Sequence, residues 1–293
     1  MAWPPPAPDL AFSLRHTVSD DGMRLPSGTP ALKRDGCRLA RPCLRQPQVT
    51  RRFRFFEATL LLVVSGALTL DDGTRQLTVD APTSVILVDS HACMDLLKTP
   101  GVDEPRFRSI FLTFSAGILA EFRRQHLPAR PFISGTESAR QVPLDDELAS
   151  TLAYCLSGIE DPRISDGRLQ HRLLDLLIAL AERGYEFAVA TQQPTTADRL
   201  RSLIGERPSH RWTAHEASRE LAMSEATLRR RLAGESMHFE ELLIDVRMHH
   251  AMMLMQTTGW SVPHIAEACG YKSRARFAER FRDRFGCLPS KVR

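Results

Sequence analysis

Arg229, Arg230 and Arg274 carry planar guanidinium forks, which can bond two acceptors at once, such as O6 and N7 on the edge of guanine. Ala226, Ala275 and Ala278 offer only methyl groups, suited to a thymine methyl or simply to helix formation. Glu279 is an acceptor; it can take a bond from cytosine N4 or pair with Arg276 or Arg282, and phosphate would repel it. Ser224, Arg231, Ser273 and Arg282 are of the kinds that fix register on a phosphate backbone. Taken alone, Arg229-Arg230-Arg231 is most simply a solvated helix face. What surrounds it decides otherwise.

The stretch Ser261 to Arg293 predicts a short helix, a turn and a longer basic helix. Ile265 and Ala266 supply apolar contacts, Gly270 turns the chain, and Ser273 caps a helix running through Arg284. Phe277, Phe281 and Phe285 recur every four residues as its buried stripe, leaving Arg274, Ala275, Ala278, Glu279 and Arg282 off that stripe. Gly286 stops the helix and Pro289 keeps it from resuming. A second helix-turn-helix unit is expected at Trp212 to Ser236. Thr213 is its first cap with Glu216 as capping-box partner, and Ser224 is a second cap ahead of Leu228 and Leu232. Ala222-Met223 stands there in place of a glycine turn. Between the units, Phe239, Leu242, Leu243, Val246, Met252 and Leu254 predict one helix over 239–256. Its length of roughly 27 Å makes a strut between two reading heads, on the scale of the ~34 Å between successive major grooves. Ala197 to Glu206 predicts a leading helix.

The pattern Gly270-Tyr271-x-Ser273-x-x-x-Phe277-x-x-x-Phe281-Arg282-x-x-Phe285-Gly286-x-x-Pro289, preceded by Ile265-Ala266, resembles the arabinose-regulator (AraC/XylS) family of bacterial transcription factors. Leu221-Ala222-Met223-Ser224, Leu228 and Arg230 are similar to that family's first unit. The resemblance covers 197–293 and is nearest to members controlling virulence, stress or metabolic genes. It implies two units reading a site of about 20 base pairs in adjacent major grooves, usually with activation through RNA polymerase. It places groove-facing positions on Ala226, Arg229 and Arg230, and on Arg274, Ala275, Ala278 and Glu279. Ala275 and Glu279 depart from the family's commoner readers, and Val292 replaces a common aromatic. The expected partners are double-stranded DNA, RNA polymerase, a second copy as a homodimer, and a small-molecule effector or regulatory protein. No cofactor is called for. A nonspecific architectural DNA binder is the competing reading of the whole chain.

Of the 39 Lys and Arg and 35 Asp and Glu, 17 and 12 fall in residues 197–293, a net of +5 there against −1 in the rest. A polyanion footprint is therefore expected only in the last third. The 293 residues, 43% hydrophobic, fit a multidomain chain. Residues 1–47 read as a loose proline-rich arm with one short strand. Strands from Val49 to Ser115 predict a small antiparallel barrel or sandwich, which the resemblance makes a cupin-like barrel. Helices follow at about 116–183. The expected organisation is a regulatory or dimerisation domain at 1–184, a linker at 185–196 and an all-α DNA-binding domain at 197–293 with two helix-turn-helix units. Leu169, Leu173, Leu176 and Leu180 form one helical stripe that either completes a monomer core or builds a dimer interface.

Six scattered cysteines give no CxxC pair, so neither a disulfide framework nor a zinc site is expected. His249, His250 and His264, like His91 near Cys93, lack ligand-spaced neighbours, and no metal is expected. No nucleophile elbow or phosphate loop argues for an enzyme. The absence of a signal core or of ~18 consecutive apolar residues predicts a cytoplasmic chain without a membrane partner.

Overall fold

Leu60, Leu61, Leu62 and Val63 are apolar in succession, the pattern of a strand covered on both faces. They form β5 (Ala58–Ser65), in which Leu60 and Leu62 face one core and Leu61 and Val63 another. The computed structural model describes residues 31–80, 82–102, 104–126, 137–188 and 194–292. The proline-rich start of the arm and the middle of the predicted linker, 189–193, lie outside the described residues.

Two antiparallel sheets surround β5. The larger joins β1 (Leu32–Arg34), β2 (Cys37–Ala40), β10 (Phe107–Phe114), β5, β8 (Ser84–Val88) and β11 (Ala139–Pro143) in that order. A short β3 (Cys43–Leu44) also pairs with β10. The smaller runs β4 (Gln48–Arg54), β9 (Cys93–Thr99), β6 (Ala67–Asp71) and β7 (Gln76–Val79). Gly66, at φ +82°, carries the chain from β5 in one sheet to β6 in the other. A Cβ there would lie 2.2 Å from the Thr99 carbonyl oxygen.

Among the described residues neither sheet closes on itself, so the expected cupin-like barrel is corrected to two open sheets packed face to face. The strand stretch also reaches beyond 49–115. The arm supplies β1, β2 and β3, and β11 forms the far edge of the larger sheet after the first helix. Side chains such as Leu61, Val63, Ile86, Phe107 and Phe111 line the space between the sheets. The outer face of the larger sheet is covered by α1 (Ala116–Gln125), α2 (Asp146–Glu160) and α3 (Asp166–Glu182). Leu169, Leu173, Leu176 and Leu180 on α3 are all within 1% of complete burial in that core. As dimerisation candidates they are therefore corrected: the monomer's own packing leaves them no surface for a second copy.

The last hundred residues are helical. They comprise α4 (Thr196–Glu206), α5 (Ala214–Glu220), α6 (Glu225–Gly234), α7 (Phe239–Thr257), α8 (Val262–Ala268) and α9 (Arg274–Phe285). Thr195 and Asp198 cap α4 reciprocally, and the Glu235 carboxylate accepts from the Thr196 and Ala197 amides, tying the start of α4 to the end of α6. The 19 residues of α7, about 28 Å long, serve two cores in turn. Leu242, Leu243 and Val246 pack with α4 to α6, whereas Met248, Ala251 and Met252 pack with α8 and α9.

Candidate nucleic-acid interface

Each reading helix starts with a serine whose hydroxyl accepts from the backbone three residues on, Ser224 from Thr227 at 3.1 Å and Ser273 from Arg276 at 3.3 Å. In α6, Leu228 and Leu232 are buried and hold the helix to the first core. Ser224, Ala226, Arg229, Arg230 and Arg231 are exposed around them. In α9, Phe277, Phe281 and Phe285 are buried as an edge-and-tilt aromatic stack, as their spacing predicts. Ser273, Arg274, Ala275, Glu279 and Arg282 are exposed, and Ala278 is half-buried. Gly286 ends α9 at φ +74° with its amide on the Arg282 carbonyl at 2.7 Å.

Charges on these faces are partly committed. Arg229 donates through Nε and Nη2 to Oε1 of Glu225 at 3.0 and 2.7 Å, one turn back on α6. Arg282 lies 3.9 Å from Asp283. Two local expectations change. Glu216 does not complete a capping box with Thr213; its carboxylate lies 2.7 Å from Nε2 of His210 while Thr213 accepts from the Glu216 amide. Ala222 takes the glycine-like conformation itself, at φ +55°.

The structure also assigns roles that helical periodicity had hidden. Arg284, at the end of α9, donates from Nε to Asp245 Oδ1 on α7 at 2.6 Å. Its Nη2 reaches the Arg52 carbonyl at 2.7 Å and its Nη1 the Arg51 carbonyl at 3.3 Å. Both carbonyls sit where β4 slips register against β9 between Thr50 and Phe53, with Arg52 at φ +50°. His249 closes the cluster, its Nε2 3.1 Å from the Arg54 amide and its Nδ1 2.8 Å from the Asp245 carbonyl. Burial raises the Asp245 pKa, but the His249 hydrogen bond and charge and Arg284 outweigh it and hold the carboxyl well below its ordinary range. A run of basic residues in α9 gave no signal that one of them points inward; only the position of β4 reveals it. His264 stacks on Trp260 at 4.4 Å, and His91 lies 3.4 Å from Asp198. Among the described residues no helix is long and apolar enough to cross a membrane.

Comparison with known proteins centres on this helical region. The helix-turn-helix domain family matches residues 217–293. The regulator YdeO of Escherichia coli K12 is 32% identical over 134 residues, 44% of this chain and 53% of YdeO. The regulator GadX of the same organism is 33% identical over 98 residues, 33% of this chain and 36% of GadX. The virulence regulon transcriptional activator VirF of Shigella flexneri is 30% identical over 95 residues, 32% of this chain and 36% of VirF. The chain thus matches at most about half the length of these relatives. In overall fold it is similar to apo ToxT of Vibrio cholerae, with a TM-score of 0.60 over 87% of this chain and 96% of ToxT at 16% identity. With two capped helix-turn-helix units braced by α7, residues 217–293 match the helix-turn-helix domain, and the chain is similar to the bacterial transcription regulators YdeO, GadX and VirF.

Proposed function

We propose that this chain is a sequence-specific transcription regulator, an activator, that reads adjacent major grooves of double-stranded DNA with α6 and α9. The observation that carries this reading is the pairing of two serine-capped helices, each with a buried apolar stripe and an exposed basic face, on one continuous helix. Arg229, Arg230 and Arg274 supply bidentate donors for base edges, Ala226, Ala275 and Ala278 methyl contacts, and Glu279 an acceptor. Ser224, Arg231, Ser273 and Arg282 hold phosphates. Activation through contact with RNA polymerase is the reading that the resemblance to the AraC/XylS family supports. Selection of duplexes from a random pool tests the reading: an enriched bipartite motif is expected. Equal binding to all duplexes would instead make the chain an architectural binder.

For residues 1–184 a protein-contacting role is one reading; the side chains between the sheets are apolar apart from the buried Lys98 amine, 5.0 Å from the Phe111 ring centroid. ToxT has been solved with an unsaturated fatty acid bound, which keeps a small-molecule effector as the second reading. Protection of the chain against thermal unfolding by fatty acids would decide for the effector. A homodimer would have to use a surface other than the buried α3 leucines.

A further inference from the structure

Arg247 stands on α7 at the point where the helix passes from the first core, which ends with Val246, to the second, which begins with Met248. Its guanidinium reaches in both directions. Nε donates to the Pro208 carbonyl at 3.0 Å and Nη2 to the His210 carbonyl at 2.7 Å, both in the loop leading to α5 in the first reading unit. The same group lies 5.8 Å from the ring centroid of Tyr271, in the turn of the second unit. The fit is close: a Cβ on Gly270 would come within 2.8 Å of Arg247 Nη2 and 3.0 Å of the Ser209 carbonyl oxygen. Gly270 therefore serves twice, giving the turn its φ of +78° and letting the first unit's loop and Arg247 lie against it. The loop is stiffened in turn by Trp212, whose indole N–H bonds the Arg207 carbonyl at 3.1 Å.

We propose that Arg247 is a positioning residue that fixes the angle between the two reading units, and so sets the spacing of the two half-sites the chain accepts. Each unit has its own core and its own serine caps, so each keeps its fold without Arg247. What the guanidinium adds is a rigid planar bridge between a loop of one unit and the turn of the other. Its fork spans two carbonyls, which an ammonium point donor cannot do in the same geometry. One inserted base pair displaces a half-site by about 3.4 Å and rotates it by about 35°. Register across the bridge therefore decides whether α6 and α9 meet their bases together.

The inference rests on the DNA-reading function proposed above. Its test uses the full chain and the motif enriched by the wild type, with zero, one or two base pairs inserted between the half-sites. The wild type is expected to lose roughly tenfold or more per insertion, at least the effect of a mismatched base pair. Arg247→Ala is expected to bind the parent site several-fold more weakly but to discriminate among spacings by less than about threefold. Its base preferences within each half-site should be retained. Arg247→Lys, which keeps the stem and the charge, should fall between the two and serves where the alanine variant is unfolded at the assay temperature. Variants that keep the full wild-type spacing penalty would overturn the inference and leave DNA reading intact. A wild type that enriches no motif would sink both.

Discussion

Nζ of Lys98, on β9, donates to Oε1 of Gln256, on α7, at 2.5 Å, with both side chains within 2% of complete burial. Gln256 is held in place by Gln48 Oε1 at 2.7 Å, and the Lys98 amine lies 5.0 Å from the Phe111 ring centroid. A strand of the smaller sheet and the strut of the reading heads thus share a buried polar contact in which the amine's acceptor is an amide. Burial brings the Lys98 pKa down to about 7.

This contact makes stability depend on pH with a definite sign. An unfolded lysine titrates near 10.4, so between pH 7 and 10 the unfolded chain binds a proton that native Lys98 lacks. Stability from this group therefore rises with pH across that window and is level below it. Burial pushes the Cys269 thiol up to about 12, which acts in the opposite sense above about pH 9. The comparison with Lys98→Met isolates the lysine. In urea unfolding between pH 7 and 9, the wild type should gain about 1 kcal/mol per pH unit relative to that variant. Parallel pH profiles would refute the assignment.

Arg284 holds α9 to β4 and to Asp245 in the same partly buried cluster. Arg284→Ala leaves the carboxylate without its cation and should destabilise the chain by about 3 kcal/mol. Because the native Asp245 pKa is depressed, its contribution is complete above about pH 4 and is lost as pH falls below that. The deficit of Arg284→Ala relative to the wild type should therefore shrink as pH falls below about 4, giving the variant a shallower acid limb. An unchanged acid limb would show that Arg284 does not support the ionised carboxylate.

At the reading faces, Arg230→Ala or Arg274→Ala should cost about 1–3 kcal/mol on the selected site and relax preference at one base pair. Arg231→Ala and Arg282→Ala should weaken specific and random duplexes alike and reduce the salt slope by about 1 each. Titrations at several salt concentrations separate the two kinds of contact. Equal losses on both duplexes for Arg230 or Arg274 would reassign that side chain to phosphate.

Ala222 adopts φ +55° in the turn before α6, where an alanine Cβ is crowded. Ala222→Gly should raise stability by about 0.5–1 kcal/mol, the relieved strain exceeding the added chain entropy. Denaturant midpoints of the two proteins check this directly, and a lower midpoint for the glycine variant would count against strain at this turn.

The reading units were legible in the chain because their signals are local. A serine cap, a phenylalanine every fourth residue and a glycine stop each act within one or two turns, and the structure places Ser273, Phe277, Phe281, Phe285 and Gly286 accordingly. The two-sided burial of β5 was also visible, since four successive apolar residues leave no face for water. Sheet closure depends on which distant strands pair, and nothing local in β1 or β11 shows that they end as opposite edges of one open sheet. The α3 stripe carried the same ambiguity: a leucine face reads identically whether it is covered by its own sheet or by a second chain. Lys98, Arg247 and Arg284 belong to the same class. Nothing in the neighbouring sequence distinguishes any of them from a solvated charge, and only the tertiary structure decided that Gln256, the Pro208 and His210 carbonyls, and Asp245 with the bulged β4 would receive them. Sequence by itself determined what each helix is; long-range packing determined what each buried charge does, because its partners lie tens to hundreds of residues away.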